Sequence, residues 1–174
     1  MNAKIISRFV LYAAAFLVGT GLAIFFALGT SPDNYGIGEI LGYSSITLSL
    51  VFIFFGIRQY RNEHLNGNIN FGQALKVGLL IALFPAFAFG IYNIVYAEIL
   101  DPEFMDNYYQ YQLDAMQTTM SASEFEVAKA QMESEKDIFM NPITQFIVMF
   151  LTVWVIGLII TIISSITLIK KEKT

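Results

Sequence analysis

The 174-residue chain is 56% hydrophobic and only 14% charged, where an ordinary soluble domain carries about 25% charged residues, so it reads as a membrane protein. With no cysteine and a single histidine, His64, it excludes a disulfide scaffold, a thiol nucleophile and a thiolate metal centre, and leaves little scope for a histidine-based one. The net charge of −4 conceals a segregation of charges along the chain.

The first predicted membrane segment is 5–28, apolar apart from Arg8, Tyr12, Thr20 and its glycines. Arg8 is close enough to the end to reach headgroups along its aliphatic stem. Ala15, Gly19, Ala23 and Ala27 recur every fourth residue and form a ridge of small side chains. Lys4 and Arg8 before the apolar run, and Ala27-Leu28-Gly29 after it, also resemble a cleaved signal peptide. The run exceeds the ~7–15 apolar residues usual for such signals, so a retained helix is expected. Thr30 to Gly38 is a turn-rich link.

The second segment, 37–57, is dotted with Ser44, Ser45, Thr47 and Ser49. Such hydroxyls usually bond back to their own helix or across to a neighbour, though they could also line a polar pathway. Arg58 to Asn70 reads as a short polar loop with the turn signal Asn66-Gly67. In the third segment, 71–97, Ala74, Gly78, Ala82, Ala86 and Gly90 form a second small-residue ridge, and Pro85 is a candidate kink. Lipid tails give helices no hydrophobic reason to associate, so close backbone approach over small residues takes that role. The third helix is therefore the expected packing centre, with the first helix its natural partner.

Residues 98–142 are the only sizeable polar stretch. Met105, Tyr108, Tyr109, Met116 and Met120 follow helical spacing over 102–119. Ser121-x-x-Glu124 is a capping box that starts another helix, with Phe125, Ala128, Met132 and Phe139 as its apolar stripe and Asn141-Pro142 as its end. The fourth segment, 143–169, carries the stripe Gly157, Thr161 and Ser165 and a tryptophan, Trp154, expected in the packed core. Lys170, Lys171 and Lys173 follow. The predicted fold is all-α: one polytopic membrane domain, 1–174, of four transmembrane helices, with an acidic extramembrane helical hairpin, 98–142, between the third and fourth.

Cytoplasmic loops carry excess Lys and Arg. Lys4, Arg8, Arg58, Arg61, Lys76, Lys170, Lys171 and Lys173 would fall on one side, and Lys129 and Lys136 on the other. The expected placement is multi-pass in a bacterial inner membrane, both termini cytoplasmic and the acidic hairpin periplasmic.

The block from Gly42 to Leu80 resembles domain-of-unknown-function family 4199. The features that carry the resemblance are Gly42-Tyr43, Gly56-Ile57 with Tyr60-Arg61, Gly67-x-Ile69-x-Phe71-Gly72 and Ala74-Leu75. Asn141-Pro142 before a last glycine-bearing helix ending in lysines also fits. The resemblance implies a small integral membrane protein of Bacteroidetes-type bacteria with no established activity. In that family the last helix often carries an acidic residue before its glycine, where this chain has Val153, Trp154 and Val155.

Arg58, Arg61, His64 and Lys76 are candidate contacts for an anionic headgroup or a polyprenyl phosphate, although the charge rule alone accounts for them. Glu39, Glu98, Asp101, Glu103 and Asp106 could gather around a hard cation such as Ca²⁺, without the spacing of a known calcium loop. Tyr92, Tyr96, Tyr108, Tyr109 and Tyr111 read as an interfacial belt. No nucleophile is paired with a base and no phosphate-cradling loop appears, so no enzyme, cofactor or nucleic-acid partner is expected. The expected partners are the lipid bilayer and either another membrane protein or further copies of the chain. The expected role is that of an accessory or scaffold subunit. The alternative is an oligomeric carrier or channel for a small solute or lipid-linked group.

Overall fold

The computed structural model describes residues 3–169. Lys170, Lys171 and Lys173 lie outside the described residues. The elements are α1 (Ala3–Leu28), α2 (Tyr35–His64), α3 (Phe71–Val95), α4 (Phe104–Thr119), α5 (Ala122–Met140) and α6 (Pro142–Leu168). A 3₁₀ turn, Pro32–Asn34, precedes α2, and a π turn, Tyr96–Leu100, extends α3. Among the described residues the chain is all-helical. Four helices are long and apolar enough to cross a membrane: α1, α2 with its preceding turn, α3 with its π turn, and α6.

The helix ends follow from local chemistry. Asn70 and Gln73 form a reciprocal capping box at the start of α3, and Ser121 and Glu124 form one at the start of α5. Asn141 accepts from the Ile143 N–H at 2.9 Å and begins α6, with Pro142 in the first helical position. Between α2 and α3 the chain turns at Asn66 and Gly67, with φ of 51° and 86°.

The polar segment after residue 57 corrects the sequence reading. It remains helical to His64, so the loop is confined to Leu65–Asn70. Hydropathy marks where apolar residues stop, whereas a helix continues until its backbone meets a breaker. Gln59 donates to Glu63 at 2.7 Å one turn away and helps carry α2 onward. Likewise α3 runs unbroken through Pro85.

α2 and α3 pack on each other, and α1 and α6 each pack on both, on opposite sides of that pair. The core is filled by Leu17 of α1, Leu50, Ile53 and Ile57 of α2, Ile81 of α3 and Val153 of α6. Ala74, Gly78, Ala82, Ala86 and Gly90 are all buried. Their partner is chiefly α6: a methyl group on Gly78 would meet the Thr161 side chain, and one on Gly90 would lie 2.6 Å from the Phe146 ring. In return, a methyl on Gly157 would lie 2.8 Å from Ala82.

The expected pairing of ridges is corrected. Ala15, Gly19, Ala23 and Ala27 are exposed, and a methyl on Gly19 would meet nothing. α1 instead packs through Ala13, Ala14 and Leu17, and through Gly21, against which the Tyr92 ring lies. Ile5, Ile6, Phe9 and Leu17 share that buried side and bury more surface than the small stripe would. Trp154 packs against the core while remaining partly exposed, at the end of a stack with Phe150 and Phe146 along α6.

α4 and α5 touch through Lys136, whose Nζ is 3.1 Å from Asp106 and 4.9 Å from the centre of the Tyr109 ring. α4 buries one residue, Leu113, and α5 buries none.

Candidate functional site

One end of the bundle holds an aromatic nest around a carboxylate. The π turn carries α3 past its last regular turn and delivers Asp101, whose N–H donates to the Tyr96 carbonyl at 2.8 Å. The Asp101 carbonyl in turn accepts from the Phe104 N–H at 2.9 Å, which starts α4. Asp101 is only 5% exposed, and its Oδ2 has no hydrogen-bond partner. Tyr35, at the start of α2, is also buried with an unpartnered hydroxyl. Its ring packs on Phe104, Tyr108 and Tyr111, with centroids 5.5, 5.8 and 5.6 Å away. Tyr96 closes the nest, 4.9 Å from Phe104 and 5.7 Å from Phe25 of α1.

Tyr108 donates to Glu39 of α2 and accepts from Gln112, both at 2.7 Å. Burial, then the carboxylate of Glu39, raise its phenol well above the usual range. Burial also pushes the Asp101 carboxyl up, with the charge of Glu103 adding to it and a backbone hydrogen bond at Glu103 opposing. Burying an ionised carboxylate with one oxygen unpartnered is costly, so this arrangement favours the protonated form of Asp101.

The acidic residues do not gather as a cation site. Glu98, Glu103 and Asp106 are exposed while Asp101 is enclosed, and among the described residues no three acidic or histidine side chains could share a metal ion. The sequence treated Tyr35 as part of a link and the other tyrosines as a belt. The available signal was the density of aromatic residues on both sides of Asp101, from Tyr92 to Tyr111.

At the other end, the four basic candidates are not brought into one pocket. Arg58 and His64 are exposed, with His64 against the Tyr60 ring. Arg61 donates to the Leu168 carbonyl at 3.2 Å and to Asn62 at 2.9 Å, so it satisfies the C-terminal end of α6. Lys76 is exposed on α3 and lines a shallow apolar groove with Leu75, Leu79, Leu83 and Trp154.

Over residues 10–170 the sequence matches the family described as protein of unknown function DUF4199. The chain belongs to this family. No match was found among curated proteins or among solved structures.

In this DUF4199 chain the hydroxyls of α2 are closed on themselves. Ser44 and Ser45 donate to the carbonyls of Ile40 and Leu41 at 2.7 Å, Thr47 to Tyr43 at 3.0 Å and Ser49 to Ile46 at 3.2 Å. Inside the bundle, Thr161 and Ser165 of α6 are fully buried with unpartnered hydroxyl oxygens. Near the nest, Asn93 donates to Gln145 at 3.4 Å and ties α3 to α6.

Proposed function

We propose that this protein is an accessory subunit of the membrane, in which a packed four-helix bundle holds α4 and α5 as a contact surface for another membrane protein. The observation that carries the proposal is α5: a helix of 19 residues with no buried position. It leaves Val127, Ile138 and Phe139 at 70%, 58% and 50% exposure. A short helix is marginal on its own propensity and is normally held by packing of an apolar face, which here is supplied only weakly within the chain. Apolar and aromatic side chains of this kind favour interfaces.

In this reading both termini face the cytoplasm of a bacterial inner membrane and α4–α5 form a hairpin on the periplasmic side, as the distribution of Lys and Arg suggests. The Asp101 nest then fixes the base of the hairpin to α2 and α3. A passage through a single copy is disfavoured by the filled core, so a transport role would require several copies. Replacing Val127, Ile138 and Phe139 together by serine tests the proposal. The bundle should remain folded while the complex extracted in native lipid shrinks to the isolated chain. An unchanged complex would remove α5 as the interface.

A further inference from the structure

We propose that the groove between α3 and α6 binds one anionic glycerophospholipid, with an acyl chain along Leu75, Leu79, Leu83 and Trp154 and the phosphate at Lys76. The open groove has a volume of about 320 Å³, and among the described residues no acidic side chain lines it. Lys76 has no ion-pair partner among the described residues. Its charge is thus uncompensated beside an apolar trough, the complement of a lipid that is negative at one end and apolar along its length.

The dimensions agree. Gly72 to Leu83 spans ~16 Å at ~1.5 Å per residue, about half of a ~30 Å hydrocarbon core and so one leaflet. The span Phe71–Leu100 has 30 residues, or ~45 Å, so ~7 Å emerges at each end if it is centred. Lys76, five residues in, then sits at the boundary between acyl chains and phosphates. Gly72 leaves the first turn of α3 without a covering side chain, where the helix N-terminus also favours negative charge. Among the described residues no other cation lines this groove, Arg61 being engaged with Leu168.

The test uses the chain's one tryptophan, Trp154, which lines the groove. The full protein is reconstituted in phosphatidylcholine containing brominated phosphatidylglycerol or brominated phosphatidylcholine, and quenching of Trp154 fluorescence gives the relative affinity of the two lipids. The expected preference for phosphatidylglycerol is about fivefold, the amount one lysine near an anionic headgroup supplies. Lys76→Gln should reduce the ratio to about one, and Arg58→Gln should leave it unchanged. Gly72→Leu should weaken quenching by phosphatidylglycerol. A methyl there meets only Asn70 Oδ1, at 3.6 Å, so this variant should still fold. A ratio near one in the natural protein, or a preference that survives Lys76→Gln, would overturn the proposal. Loss of the preference on adding inorganic phosphate at constant ionic strength would reassign the site to free phosphate and also overturn it.

Discussion

α1 and α3 carry small residues at the same four-residue spacing, yet the two ridges meet opposite surroundings. On α3 the ridge is buried from Ala74 to Gly90, and α6 lies close enough that side chains added at Gly78 or Gly90 would collide. On α1 the ridge is exposed from Ala15 to Ala27, with open space beyond Gly19. Small spacing permits close approach but does not choose a partner. The partner is chosen by what faces it: α6 offers Gly157 and Thr161 to α3, whereas α2 and α3 receive α1 through Leu17, Phe9 and Gly21.

The contrast is most strongly tested at Gly78. Leucine there would drive its side chain into Thr161 and should destabilise the bundle by about 3 kcal/mol, the upper range for overfilling a packed core. Unfolding in mixed detergent measures this, and a near-neutral result would mean that α3 and α6 are not in close contact.

A smaller effect is expected at Asp101, where burial again decides what a residue type does. Its folded pKa is raised by burial above the ordinary carboxylate value. A raised pKa means that the stability it contributes is present below the unfolded value and is lost as pH rises through the folded one. Melting temperature should therefore fall as pH rises through the acid range above 3.8. Asp101→Asn should flatten that dependence and stabilise the fold at neutral pH by about 1 kcal/mol, the scale of one unpaired buried polar group. A profile that is already flat in the natural protein would place the carboxylate in water.

The smallest effect belongs to α1. Gly19→Leu should change the stability of the isolated chain by no more than about 0.5 kcal/mol, as exposed positions do. A large loss in the same unfolding assay would put that ridge inside the bundle.

The number and order of the membrane-length helices were legible because each is a long apolar run between breakers, and the capping box at Ser121 is a local signal, whereas that at Asn70 was read only as the end of a loop. The end of α2 was not legible, since Arg58–His64 are polar yet contain no residue that breaks a helix. Which ridge is packed depends on the facing helix and is a tertiary property. The nest has the same origin: Tyr35 and Asp101 are 66 positions apart by their numbers and meet only because α2 and the end of α3 share one end of the bundle. The fold gives Arg61 to α6 and leaves Lys76 in a groove.

In the proposed assembly the uncovered face of α5, and not the bare ridge of α1, meets another protein. Photo-crosslinking residues placed at Val127 and at Ala23 in otherwise unchanged chains, activated in intact cells, compare the two faces directly. A discrete protein adduct is expected from Val127, and only lipid around Ala23. A discrete adduct from Ala23 with none from Val127 would contradict this assembly and make the α1 ridge the interface.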